Sequence, residues 1–145
     1  MITINIATEH GKLSDIIDLR YKVLLQPWEQ RFELATDDLE KESINVFADE
    51  DGKVIGCGRL QTLQGEIGQI RFMAVSNESQ GKGVGKKLLE KLEDEARSLN
   101  FRKIVLFVRE NALIFYEKSG YSVINKGQLL WDKIQHYKME KDLLV

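Results

Sequence analysis

Hydrophobic and polar positions recur at two periods along this chain, and the switches between them mark out its elements. Ile2, Ile4 and Ile6 alternate with Thr3 and Asn5, the period-two signature of a half-buried strand. Leu13, Ile16, Ile17, Arg20, Val23 and Leu24 then recur at helical spacing. The pattern stops near Gln26-Pro27, because the residue before a proline is pushed out of the helical region. Residues 28–42 show no period: Trp28 stands among the acids Glu29, Glu33, Asp37, Asp38, Glu40 and Glu42. Such a stretch is either a solvated loop with a short helix or a functional segment, and Trp28 either caps the core or belongs to a site. A meander follows over residues 44–48, 54–63 and 66–75, joined by a hairpin turn at Asp49-Glu50-Asp51-Gly52 and a second turn at Gln64-Gly65. Residues 84–99 return to the helical period, with Val84, Leu88, Leu89, Leu92, Ala96 and Leu99 on the buried stripe. Glu90, Lys91, Glu93, Asp94 and Glu95 face outward in this reading, and Asn100 stops the helix. Residues 104–108 are continuously apolar, as in a strand covered on both faces, and their place after a strand and a helix predicts a parallel crossover. A short helix over 112–119, stopped by Gly120, and strands at 121–124 and 136–139 complete the order. The predicted class is α/β (α+β), a mixed, centrally antiparallel twisted sheet of about six to seven strands flanked by helices, in a single domain over residues 1–145.

Composition narrows the function classes. At 43% apolar and 30% charged residues the chain has the make-up of an ordinary soluble globular domain. A net charge of −2 supplies no basic field for nucleic acid or an anionic membrane. The single cysteine, Cys57, leaves no internal disulfide framework and no multi-cysteine metal site. It lies in the apolar run Val54-Ile55-Gly56-Cys57 and reads as a quiet core thiol. No run approaches the ~18 apolar residues of a membrane span, and Met1-Ile2-Thr3-Ile4 lacks the features of a signal peptide. The expected location is the cytoplasm, with no membrane and no nucleic acid as partner.

The candidate chemistry sits at Gln80-Gly81-Lys82-Gly83-Val84-Gly85-Lys86-Lys87, between an extended apolar run and a helix. Glycines at a strand-to-helix junction let backbone N–H groups approach a ligand, and the helix N-terminus adds about half a positive charge. Lys82, Lys86 and Lys87 add full charges, so the stretch suits a polyphosphate. It is not a nucleoside-triphosphate loop, whose spacing would put its first glycine on Gln80 and a Ser or Thr at Lys87. Nor is it the dinucleotide pattern, since Lys86 stands where the third glycine should be. The spacing that does fit is Q-x-x-G-x-G, and the alternative is an ordinary glycine-rich turn.

That loop resembles the pyrophosphate-binding loop of the GNAT superfamily, the acetyl-CoA-dependent N-acetyltransferases. A second stretch, Asn111-Ala112-Leu113-Ile114-Phe115-Tyr116-Glu117-Lys118-Ser119-Gly120-Tyr121, is similar to that family's asparagine-led helix with F/L-Y-x-x-x-G-F/Y. It follows the loop by one helix and one strand, as it does in the family, and the resemblance spans nearly the whole chain. Residues 134–139 are similar to a last strand found in one branch of the family. One spacing departs: in many relatives the asparagine stands two residues further from the tyrosine, so Asn111 is either a cofactor contact or the N-cap of a short helix.

What the resemblance implies is a reaction in which an amine attacks the thioester carbonyl of acetyl-CoA directly, through a tetrahedral intermediate. It would place the pyrophosphate on Gln80, Gly81, Lys82, Gly83, Val84, Gly85 and Lys86, and the pantetheine arm on backbone N–H groups of Met73, Ala74 and Val75. One of those N–H groups would polarise the carbonyl oxygen. Asn111 and Phe115 join the expected cofactor contacts, and the Tyr116 hydroxyl is the expected acid for the leaving thiolate. For a base, Glu66, Glu29, Asp38 and His136 all qualify and none stands out; Arg71 and Glu66 read as a surface pair. No metal is called for. The acceptor is a small-molecule or peptide amine, with Trp28, Glu29 and His136 as candidate contacts; the acids of residues 28–42 suit either a cation or plain solvation. A non-catalytic acyl-CoA-binding module is the alternative function, and exposed strand edges leave room for a homodimer.

Overall fold

Asp51 and Gly52 take φ values of 53° and 85°, the left-handed pair that a two-residue hairpin needs to match strand twist. They join β2 (Ile44–Glu50) to β3 (Lys53–Gln64), and β1 (Ile2–Ile6) runs antiparallel beside β2. Gly65, at φ 54°, and Glu66 then turn the chain into β4 (Ile67–Val75), one residue later than the sequence pattern places the turn. The computed structural model describes residues 1–8 and 11–144, and these form two compact units. One holds Met1–Gln61 with Ile70–Glu95, the other Thr62–Gln69 with Ala96–Val145. The strand ladders follow the order β1-β2-β3-β4-β5-β7-β6, a seven-stranded mixed sheet of the expected class.

In the first unit β3 is buried from Val54 through Gln61 because both its faces are covered. On one face Ile16 and Leu19 of α1 (Lys12–Arg20) pack with Phe47, Val54, Cys57 and Ala74, each large apolar side chain contributing about 1.5–3 kcal/mol. On the other face α2 (Val84–Ser98) lies close. A Cβ on Gly56 would come within 2.9 Å of Leu88, and one on Gly58 within 2.6 Å of Leu92, so these positions need glycine for proximity rather than for a turn. The α1 helix gives way to a π-turn over Tyr21–Leu25 and a 3-10 turn over Gln26–Trp28 that carries Pro27 in its first positions.

Two expectations about α2 need correction. Leu99 is 51% exposed, because the helix ends at Ser98 and Asn100, at φ 64°, redirects the chain. Glu93, expected outward, is 5% exposed; it stands four residues after Leu89, on the same side as the buried stripe. The stop at Asn100 is as read from the sequence: the Phe101 N–H donates to Ala96 O at 3.0 Å.

In the second unit the first residues of β4 pair parallel with β5 (Lys103–Arg109), Ile67 opposite Lys103 and Gln69 opposite Val105, which is the predicted crossover. β5 then pairs antiparallel with β7 (Ile134–Asp142), and β7 with β6 (Ser122–Leu130). Phe107 is 46% exposed, so the double coverage expected of residues 104–108 fails there: strand alternation puts it on the face opposite Leu106 and Val108, a face that covers Val105 but not Phe107. β6 and β7 also run well beyond 121–124 and 136–139. β6 is an exposed edge strand with two register shifts, so its sequence carries little alternation to announce it. The short helix is α3 (Leu113–Lys118), preceded by a 3-10 turn over Glu110–Ala112 and ended by Gly120 at φ 96°. Among the described residues no helix is long and apolar enough to cross a membrane.

Candidate active site

The glycine loop is built for close backbone approach. Gly81 and Gly83 take φ of 83° and 78°, and neither would meet another atom within 4 Å if it carried a Cβ. Open space on that side, together with a left-handed backbone, is what a ligand lying against main-chain N–H groups requires. Gln80 anchors the loop: its Nε2 donates to Val75 O at 3.2 Å and Asn77 Oδ1 at 3.3 Å. Val84 is 2% exposed and pins the start of α2 to the core, while Lys82 and Lys86 are exposed. The Lys87 N–H donates to Gly83 O at 3.2 Å, so the N–H groups of Val84, Gly85 and Lys86 lie in the first turn, where a helix has no internal acceptors. Backbone donors, helix dipole and lysines therefore converge as a pyrophosphate group demands, and the residues fit it.

β4 departs from regular geometry just before the loop. Phe72 takes φ of 55°, an uncommon conformation for a bulky residue. The Cys57 thiol donates to Phe72 O at 3.5 Å, and the Ala74 N–H points back to the same sulfur. By strand alternation Met73 and Val75 then aim their N–H groups at the edge away from β3, and Ala74 does not. Cys57 itself is fully buried, and burial pushes its thiol up to about 12, so it is the inert core thiol expected.

Tyr116 lies in α3 at 7% exposure, its ring edge-on to Phe115 at 4.9 Å and Tyr121 at 5.9 Å. Burial raises its pKa above the usual phenol value, so it carries its proton at neutral pH. Asn111 sits exposed within the 3-10 turn, and α3 is led by Ala112 without a side-chain cap, which removes the N-cap reading of Asn111. On β7, opposite Arg109, His136 is half-buried. Its Nδ1 lies 3.1 Å from Ile134 O; a carbonyl only accepts, so Nδ1 carries the hydrogen and Nε2 is left as acceptor. Burial lowers the pKa of His136, with Arg109 adding to the effect, and the ring is neutral at pH 7.

The other base candidates fare differently. Glu66 is exposed in a turn and pairs with Arg102 at 3.5 Å, not with Arg71. Glu29, at φ 57°, and Asp38 are exposed, and Trp28 is half-buried at the end of its 3-10 turn. No cluster of three or more metal-ligating side chains occurs among the described residues.

Two of the acids in residues 28–42 are already paired inside the protein and are not free for a cationic ligand. Asp37 is gripped by Arg59 through both carboxylate oxygens, at 2.8 and 2.9 Å, and by Arg71 at 2.9 Å. Glu40 takes Arg20 at 2.6 and 3.3 Å, Asn45 at 2.8 Å and Thr36 at 2.8 Å. Arg59 also donates to Gln61. The three guanidinium carbons lie 4.4, 4.9 and 4.7 Å from the centre of the Phe72 ring, for Arg20, Arg59 and Arg71 in turn. Arg59 holds the Asp37 carboxyl below its ordinary range against the opposing effect of burial. Burial pushes Glu40 up, but the hydrogen bonds from Arg20, Asn45 and Thr36 outweigh it and bring its pKa down to about 2. The only hint of this cluster in the sequence was charge at buried positions: Arg20 in a helical apolar stripe and Arg59 in an apolar strand.

The fold and this loop define an acyltransferase of the kind that uses a coenzyme A thioester. Residues 13–121 match the model of the acetyltransferase (GNAT) family, and the chain belongs to that family. It is an N-acetyltransferase with acetyl-CoA as its donor. The uncharacterized N-acetyltransferase YjcF of Bacillus subtilis (strain 168) is 28% identical over 137 residues, 94% of this chain and 97% of the relative. The IAA acetyltransferase of Azospirillum brasilense is 29% identical over 132 residues, 84% of this chain and 86% of its own. Among solved structures, an aminoglycoside 6'-N-acetyltransferase complexed with coenzyme A superposes with a TM-score of 0.81 at 19% identity, covering 97% of each chain; that likeness speaks to the fold.

Proposed function

We propose that this protein acetylates a small-molecule or peptide amine in the cytoplasm, with the glycine loop holding the donor's pyrophosphate and Tyr116 returning a proton to the thiolate. The observation that carries this reading is the pair Gly81 and Gly83, left-handed and open on the side where a Cβ would stand, in front of the first turn of α2. Acetyl-CoA, when bound, supplies an activated acyl carbon.

The chain's own residues divide the remaining work. Main-chain N–H groups from Gly81 to Lys86 and the Lys82 and Lys86 charges bind the diphosphate. The N–H groups of Met73 and Val75, fixed by the ladder to β3, hold the donor's arm, and one of them offers a hydrogen bond to the developing oxyanion. Asn111 and Phe115 are assigned as further donor contacts. Tyr116, protonated through burial, is the proton source. His136, neutral with Nε2 free to accept, is the best-supported residue to take the amine's proton; Trp28 and Glu29 are kept as acceptor contacts. Residues 1–145 act as one acetyltransferase domain in this reading, consistent with β3, β4 and α2 each running through both units. The exposed edge strand β6, with Val123, Ile124 and Leu129 each more than 40% exposed, is where a homodimer would form.

The test is a thermal-shift titration with acetyl-CoA beside ATP and NAD, followed by thiol release with Tyr116→Phe. Stabilisation by acetyl-CoA alone is expected, with turnover of the variant reduced about 100-fold and acetyl-CoA affinity nearly unchanged. Equal turnover would remove Tyr116 from the mechanism, and loss of thiol release in wild type with binding retained would leave a binding module.

A further inference from the structure

Three guanidinium cations, from Arg20, Arg59 and Arg71, share the two carboxylates of Asp37 and Glu40. Arg20 and Arg59 are wholly buried and spend their donors inside the protein, on Glu40, Asp37, Ala35, Asn45 and Gln61. Arg71 is different. Its side chain is 40% exposed, and its one ion pair among the described residues is Nη1 to Asp37 Oδ2 at 2.9 Å. That oxygen is already engaged by Arg59, so Arg71 adds a full charge to an anion that another arginine has largely neutralised.

Arg20 Nε, in the same cluster, is buried without a hydrogen-bond partner among the described residues. Burial lowers the pKa of Arg71, the neighbouring Arg59 adds to the effect, and the pairing with Asp37 opposes it. Position completes the picture: Arg71 directly precedes the Phe72 bend and the Met73–Val75 backbone to which the donor's arm is assigned.

We propose that Arg71 is the specificity residue of the acceptor site, and that the acceptor amine carries an oxyanion, a carboxylate or a phosphate, which the open edge of the Arg71 guanidinium receives. A planar guanidinium with unspent parallel N–H groups matches a two-oxygen anion, and a cationic amine would be repelled at the same place. The proposal rests on the acetyltransferase reading for the identity of the amine, and on the cluster's charge alone for the anion.

The experiment uses the full chain as wild type, Arg71→Gln and Arg71→Lys. Calorimetry with acetyl-CoA comes first, since it tests the acetyltransferase reading without involving Arg71. Two matched pairs follow: phenylalanine against phenylalaninamide for the carboxylate, and phosphoethanolamine against ethanolamine for the phosphate. Each is measured by thiol release and by direct titration into the protein. In wild type the anionic member of one pair should be favoured about tenfold or more, mainly through KM, as a charge-assisted hydrogen bond provides. Arg71→Gln should reduce that member to the level of its neutral counterpart, and Arg71→Lys should restore part of the difference. Which pair responds tells carboxylate from phosphate. Indifference to the anion in both pairs, or a preference of the same size in Arg71→Gln, overturns the proposal. Should acetyl-CoA fail to bind, the acetyltransferase reading falls, while the titration of the anionic amines into wild type and Arg71→Gln still decides the role of Arg71.

Discussion

The glycine loop and the arginine cluster both belong to the first unit, and they are made in opposite ways. The loop, from Gln80 to Lys86, is contiguous, exposed and dictated by its own residues: Gly81 and Gly83 take their left-handed conformations locally and point open backbone at solvent. The cluster gathers Arg20, Asp37, Glu40, Asn45, Arg59 and Arg71 from separate elements around one ring, and its two central arginines see no solvent. A site that binds a large charged ligand can be assembled locally because the ligand supplies the missing partners. A buried set of charges has to find its partners inside the chain, so it ties the fold together at distances the sequence does not display.

That contrast is sharpest in Arg59→Leu, for which the largest effect is expected. Asp37 would lose its bidentate partner and Gln61 its donor, so urea unfolding should show a loss of about 3–5 kcal/mol. A loss under about 1 kcal/mol would mean that the cluster is not structural. Next is Gly83→Asp, which places a carboxylate where the diphosphate is assigned. Calorimetry should show acetyl-CoA affinity lowered at least about tenfold; the unfolding midpoint falls through the strain of a side chain at φ 78° and not through a clash, since no neighbour stands within 4 Å of a Cβ there. Unchanged affinity would break the assignment of the loop.

Acid titration probes the cluster without mutation. The folded pKa of Glu40, about 2, lies below its ordinary 4.5. The unfolded chain therefore binds the proton more readily, and the stabilisation is complete above pH 4.5 and lost as pH falls from there toward 2. His136 adds a smaller effect of the same sign at higher pH, since burial lowers its pKa and acid favours the unfolded form below about 6.5. Unfolding midpoints that fall steadily through both windows are expected, and a flat profile between pH 6 and 3 would contradict it. The smallest effect belongs to Asp38→Asn. Asp38 adjoins Asp37 in sequence but is exposed, so its replacement should stay within about 0.5 kcal/mol.

Most of the fold was legible because periodicity is a local record of burial. The Asp51-Gly52 hairpin, the Asn100 stop and the parallel crossover into β5 all follow from a few adjacent residues. Most of the errors share a cause. Phe107 and Leu99 are apolar yet exposed, Glu93 is charged yet buried, and β6 is a strand whose residues are almost all exposed. For Phe107, Leu99 and β6 the environment of the position, which no window of sequence contains, overrode its composition, whereas the place of Glu93 beside the buried stripe follows from its spacing to Leu89.

By itself the sequence determined the element order, the inert core thiol, the glycine loop and the family they indicate, since all of these depend on residues within a few positions of one another. The tertiary structure alone decided which acids are spent. Asp37 and Glu40 look like their neighbours in the chain, and only the approach of Arg20, Arg59 and Arg71 turns them into structural groups and leaves one arginine with charge to offer a ligand. The physical reason is the range of the forces involved: backbone conformation is set within a turn of chain, whereas pairing of desolvated charges is set by whichever groups the fold brings within about 3 Å of each other.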